Sequence, residues 1–152
     1  MKKITLIATA AFGLEAVVAR ELQDLGYSDT ENRNGEVRFT GTLEDIVRTN
    51  LWLRTSDRVL VEMGRFEART FDELFEGTKA LPWEDWIGEG DAFPVKGKAV
   101  RSTLMSVPDC QSIVKKAVVE RLKTRYHKDW FPETGPAHPI EVAVVKDEVR
   151  LT

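Results

Sequence analysis

Two histidines, His127 and His138, and one cysteine, Cys110, are the side chains in this sequence best suited to holding a metal or attacking an electrophile. A metal cage needs three or four ligands at short spacing, and these three are too few and too scattered to make one. Cys110 and His127 could in principle form a thiolate nucleophile and its base. Cys110, however, falls on the apolar stripe of a predicted helix, where a small buried hydrophobe is the commoner role. Gly88-Glu89-Gly90 lacks the third glycine and the Lys-Ser/Thr pair of a phosphate-cradling loop, so it reads as a chain breaker before a strand. Glu84, Asp85, Glu89 and Asp91 could attract a cation, or form a solvated acidic rim beside Trp83 and Trp86. The reading is therefore no catalytic residue and no metal site in these 152 residues.

Charge is more informative than nucleophiles. The net charge is −3, but its distribution is uneven: residues 70–92 carry one Lys/Arg against seven Asp/Glu, and residues 93–130 carry nine against three. Binding responds to local potential, so the second stretch could meet a phosphate backbone although the chain as a whole is acidic. Lys96, Lys98 and Arg101 lie on or at the end of a predicted strand. Lys115, Lys116, Arg121, Lys123, Arg125 and Lys128 lie on and after the next predicted helix. Ser102, Thr103 and Ser106 between them could add hydrogen bonds to phosphate oxygens. The same charges also fit an ordinary solvated helix face, with Arg121 reaching past the core.

The elements that must position these side chains can be read from periodicity. A strand over 4–9 is followed by Leu14, Val17, Val18, Leu22 and Leu25 at helical spacing, stopped by Gly26. Asn34-Gly35 is a hairpin signal, with Val37 and Phe39 alternating after it. Thr42 and Asp45 form a capping-box variant that opens a helix with Leu43, Ile46, Val47 and Leu51 on one side. A strand from Arg58 to Phe66 closes a βαββαβ unit, the ferredoxin-like order. A second unit follows: a helix over 71–79 ended by Pro82, a strand with Phe93, Val95, Gly97 and Ala99 alternating with Lys96, Lys98 and Val100, and a helix opened by Pro108. That helix carries Cys110, Ile113, Val114, Ala117, Val118 and Leu122 on one stripe and Ser112, Lys116 and Lys123 opposite it. A proline-rich loop leads to a strand over 140–145, a Lys146-Asp147 turn and a final strand. The fold class is α+β, with a first domain over 1–69 and a second over 70–152. One cysteine permits no intramolecular disulfide, which makes the cytoplasm the default compartment. No run approaches the ~18 apolar residues of a membrane helix, so no membrane partner is expected.

The stretches ATAAFGLEAVVARELQDLGY (8–27), NLWLRTSDRVLVEMGRFEARTFDELF (50–75), LPWEDW (81–86) and FPVKGKAVRSTLMSVPDCQSIVKKAVVERL (93–122) together carry a family resemblance. They resemble the N-terminal half of bacterial ribosomal-RNA guanine-N2 methyltransferases, in which a ferredoxin-like domain precedes a THUMP domain and a Rossmann-like methyltransferase domain. The resemblance implies an RNA-binding front end that positions structured RNA, large-subunit ribosomal RNA and not DNA, for methyl transfer from S-adenosylmethionine. No Asp-Pro-Phe-Cys-Gly-Ser-Gly type cofactor loop and no Asn-Pro-Pro-Tyr type catalytic loop occurs here. The cofactor and the chemistry are therefore expected in a methyltransferase domain in cis, C-terminal to Thr152, and this fragment is expected to be no enzyme by itself. Lys96, Lys98, Arg101, Ser102, Lys115 and Lys116 match the part of the family pattern expected to face RNA, and the helix charge adds Lys123. A reading from another class is a ferredoxin-like protein-interaction or small-ligand regulatory module that binds through its sheet or through exposed Trp83 and Trp86.

Overall fold

The computed structural model describes residues 2–33, 35–104 and 106–152, which form two units, one ending at Glu62 and one beginning at Met63.

The first unit runs β1 (Ile4–Ala10), α1 (Glu15–Asp24), β2 (Glu31–Arg33), β3 (Glu36–Gly41), α2 (Leu43–Trp52) and β4 (Ser56–Glu62). Its strands are ordered β2-β3-β1-β4, every pair antiparallel, as the ferredoxin-like reading requires. Leu6, Ala8 and Ala10 of β1 and Val37 and Phe39 of β3 share one sheet face, covered by Val18, Ala19 and Leu22 of α1 and Ile46 of α2. The Asn34-Gly35 turn falls partly outside the described residues; Gly35 takes a positive φ of 77° and donates its amide to Glu15 Oε1 at 2.9 Å. The capping box at α2 is present, with the Thr42 amide donating to Asp45 Oδ2 at 2.7 Å.

The apolar side expected for α2 is corrected. Ile46 packs on the sheet, but Leu43, Val47 and Leu51 are 56%, 61% and 74% exposed. The helix carries two apolar stripes at neighbouring angles, and the sheet takes the one through Ile46, Thr49 and, just past the helix, Leu53. Burying Thr49 there is tolerable because its hydroxyl donates to Asp45 O at 2.7 Å. The strand expected from Arg58 to Phe66 is also two strands, since pairing passes to the other sheet after Glu62.

The second unit runs β5 (Gly64–Glu67), α3 (Phe71–Lys79), a 3-10 turn (Trp83–Asp85), β6 (Val95–Val100), α4 (Val107–Tyr126), β7 (Ile140–Val145) and β8 (Glu148–Leu151). The strand order is β5-β8-β7-β6, with β6 and β7 parallel across the α4 connection and the remaining pairs antiparallel. Two details of the backbone shape this sheet. Lys146 and Asp147 both take positive φ (50° and 65°), matching the right-handed twist of the β7–β8 hairpin. At Gly97 a Cβ would stand 2.8 Å from Val142 Cγ1 and 3.3 Å from Gln111 Cγ, so the missing side chain lets α4 lie close on the β6 edge. Cys110, Val114, Ala117, Val118 and Leu122 of α4 are buried, and the helical stripe packs against Val142, Val144, Val149 and Leu151 as its spacing predicts.

Candidate nucleic-acid interface

β6 is an edge strand whose residues alternate between two environments. Val95 and Ala99 pack into the core under α4, while Lys96 and Lys98 are exposed on the opposite sheet face. Lys96 lies in register beside Glu141 and Lys98 beside Ala143. On the α4 side of the same edge, Val95, Pro108, Gln111, Ser112, Lys115 and Lys116 line a shallow groove of about 560 Å³. Lys96 and Lys98 on one face and Lys115 and Lys116 on the other thus bracket this edge, whereas Lys123 does not line the groove. Arg101 ends the strand, exposed and with φ of 48°.

These side chains are not equally available. Lys115 Nζ donates to Phe93 O at 2.9 Å and to Glu133 Oε1 at 2.6 Å, and stands 3.7 Å from the Phe93 ring centroid. It fastens the proline-rich loop to the start of β6. Burial would raise the Glu133 carboxyl, yet the Lys115 ammonium and the Phe93 amide hold it below its usual value. Ser102 is committed as well: its hydroxyl donates to Val100 O at 2.9 Å and accepts from the Asp147 amide at 3.1 Å. Lys123 lies 3.4 Å from Glu120 Oε1. Among the described residues, Lys96, Lys98, Arg101 and Lys116 have no carboxylate within ion-pair distance.

The acidic stretch explains where the other cations go. Arg121 donates Nε and Nη2 to Glu84 at 3.0 and 2.9 Å, Arg125 Nε lies 3.2 Å from the same carboxylate, and Lys128 pairs with Glu89 at 2.9 Å. The Arg121 guanidinium holds Glu84 below the usual carboxylate range, and Glu84 in turn raises Arg121. The carboxylates at 84 and 89 are therefore partners of cations on and just after α4, a role the sequence reading did not give them. Its only trace in the sequence is the opposite charge of the two neighbouring stretches. Trp83 and Trp86 are not the exposed pair expected: Trp83 is 2% exposed, with its indole N–H on Thr78 O at 2.8 Å, and Trp86 packs against the same core. The large exposed tryptophans are Trp52 and Trp130.

The chemistry considered for Cys110 has no geometry. Its thiol is buried and pushed up by that burial, and Asp109 adds to the effect. His127 stands at the far end of α4, about 25 Å along the helix axis at the helical rise. Among the described residues no three His, Cys, Asp or Glu side chains gather where an ion could be held, and no helix is long and apolar enough to cross a membrane.

Comparison with known proteins adds the family. Residues 5–60 match the RlmL ferredoxin-like domain and residues 68–152 the THUMP domain. The chain is 55% identical, over its whole length, to 40% of a Bacillus subtilis protein named "Putative RNA methyltransferase YpsC". It is 32% identical over 98% of its length to 21% of a Syntrophotalea carbinolica protein named "Ribosomal RNA large subunit methyltransferase K/L". Among solved structures, 99% of the chain superposes with a TM-score of 0.95 and 55% identity on 40% of a Listeria monocytogenes protein described as a "predicted N6-adenine-specific DNA methylase". A protein described as "SMU.472, a putative methyltransferase complexed with SAH" gives 0.93 and 46% over 99% of this chain and 41% of that one. The chain spans about two-fifths or less of the length of these relatives. With its second unit covered by the THUMP match and its first by the ferredoxin-like one, the chain belongs to the THUMP-domain family, in the two-domain arrangement of the large-subunit rRNA methyltransferases.

Proposed function

We propose that this chain grips structured RNA along the β6 edge and positions it for an S-adenosylmethionine-dependent methyltransferase domain that follows in cis. The observation that carries the reading is the set of uncommitted cations, Lys96, Lys98, Arg101 and Lys116, bracketing a strand edge whose other basic neighbours are paired internally. Such cations neutralise phosphates and release counterions, which makes binding salt-dependent and largely indifferent to sequence. The named RNA methyltransferases among the relatives favour RNA, and the large-subunit name favours ribosomal RNA as its source. Methylation at guanine N2 is the finer part of the proposal.

The test is the affinity of the purified chain for a structured large-subunit rRNA fragment and for DNA of the same sequence, measured across salt. RNA is expected to bind more tightly, with log affinity falling linearly in log salt. Replacing Lys96, Lys98 and Lys116 together by glutamine should flatten the slope by up to about three units. Absent or salt-insensitive binding overturns the proposal.

One observation favours a second reading, a protein-docking module. Leu43, Val47 and Leu51 form an exposed apolar stripe on α2, and Trp52 at the end of the helix is exposed as well. A change in tryptophan fluorescence on adding a protein partner, abolished by Val47→Asp and absent with RNA, would support it.

A further inference from the structure

Glu84 is placed by contacts that do not involve its carboxylate. Its neighbour Trp83 is buried, with the indole N–H on Thr78 O, and the Ile87 amide donates to Trp83 O at 2.9 Å. The Tyr126 hydroxyl donates to Ile87 O at 2.6 Å, so the backbone around the 3-10 turn is tied to the end of α4. The carboxylate, only 18% exposed, faces Arg121 and Arg125 and holds one guanidinium through two oxygens, the geometry a phosphate would offer. Glu89, about half exposed, makes a single ion pair with Lys128 just past the helix. Desolvation offsets much of the attraction in the Glu84–Arg121 pair, and the turn is also anchored by contacts that do not involve it.

We infer that Glu84 is a specificity-determining residue, an internal phosphate mimic that withholds the C-terminal half of α4 from RNA. The inference rests on the RNA reading above and goes beyond it by setting a boundary. With Arg121 and Arg125 occupied, a phosphate backbone finds uncommitted charge at the β6 edge and at Lys116 in the first half of α4, and is refused along the rest of the helix. One long basic helix thus offers a short contact, which fixes where along it the RNA sits.

The experiment compares RNA binding across salt for the whole chain and its variants. Glu84→Gln keeps the side-chain shape and removes the charge, so the freed guanidiniums should tighten binding and steepen the salt slope by up to about two units. In the triple variant E84Q/R121Q/R125Q that gain should vanish. A folded E84Q chain with the wild-type slope overturns the inference. Arg125→Gln in the wild-type background gives a check that does not require E84Q to fold: its slope should match wild type, and a decrease of about one unit overturns the inference. If the wild-type chain shows no salt-dependent RNA binding, the RNA reading fails and this inference with it. If wild type binds as expected and only the E84Q gain is missing, the boundary alone is wrong.

Discussion

Glu84 and Arg121, 37 residues apart, meet through two hydrogen bonds of 3.0 and 2.9 Å with side chains 18% and 20% exposed. The pair joins the 3-10 turn to α4 and has a consequence for acid stability. The folded carboxyl lies below its ordinary value near 4.5, so its contribution is complete above that value and is lost as pH falls through the folded one. From about pH 6 to about pH 3, E84Q should therefore lose less stability than wild type, by roughly 1 kcal/mol. Urea unfolding at several pH values measures this, and equal pH dependence in both chains would show that the pair does not stabilise the fold.

Lys115 and Lys116 are sequence neighbours with separable roles. Lys115 is spent on Glu133 and Phe93, whereas Lys116 is exposed with no acidic partner among the described residues. Lys115→Ala should lower stability by about 1 kcal/mol and leave the RNA salt slope unchanged. Lys116→Ala should do the reverse, leaving the melting temperature in place and lowering the slope by about one unit. Thermal melts and salt titrations on the two single variants decide it, and the same slope loss in both would mean that phosphate displaces Glu133.

Where local signals agree, the fold was legible. The hairpin signal before Val37, the Thr42–Asp45 cap and the stripe from Cys110 to Leu122 each depend on neighbours within a few positions, and each element forms as read. Long-range choices were not legible. On α2 the spacing offers two apolar stripes, and only the sheet decides between Val47 and Ile46. The alternating run from Arg58 to Phe66 does not reveal that Met63 donates its amide to Leu151 O, in the second unit's sheet. The candidate site was half legible for the same reason. The exposure of Lys96, Lys98 and Lys116 follows from charge and period alone, but the commitment of Lys115 to Glu133 joins residues 18 positions apart.

Cys110 belongs to the core cluster that also holds Val114 and Val142, and burial pushes its thiol up. Alkylation by iodoacetamide at mildly alkaline pH should then be slow in the native chain and limited by opening of the second unit, becoming fast in denaturant. Cys110→Ser, which buries a hydroxyl in place of the thiol, should cost about 1–3 kcal/mol. Rapid native labelling would contradict the burial.

Gly97 offers the most direct test of how α4 is seated on the edge strand. Replacing a strand glycine by alanine ordinarily helps, by roughly 0.5–1 kcal/mol, because the unfolded chain loses freedom. Here the new methyl would sit 2.8 Å from Val142 Cγ1 and 3.2 Å from Val142 O. The valine is fully buried and its strand is paired along β6, so neither atom can withdraw without moving the strand. Overpacking of this kind costs about 1–3 kcal/mol and outweighs the entropic gain, so Gly97→Ala should be destabilising. Because Gln111 Cγ is only 3.3 Å from the same point, relief should come partly by pushing α4 outward, opening the groove beside Lys116. Denaturant unfolding gives the sign, and a Gly97→Ala chain as stable as wild type would mean that α4 does not lie this close to β6.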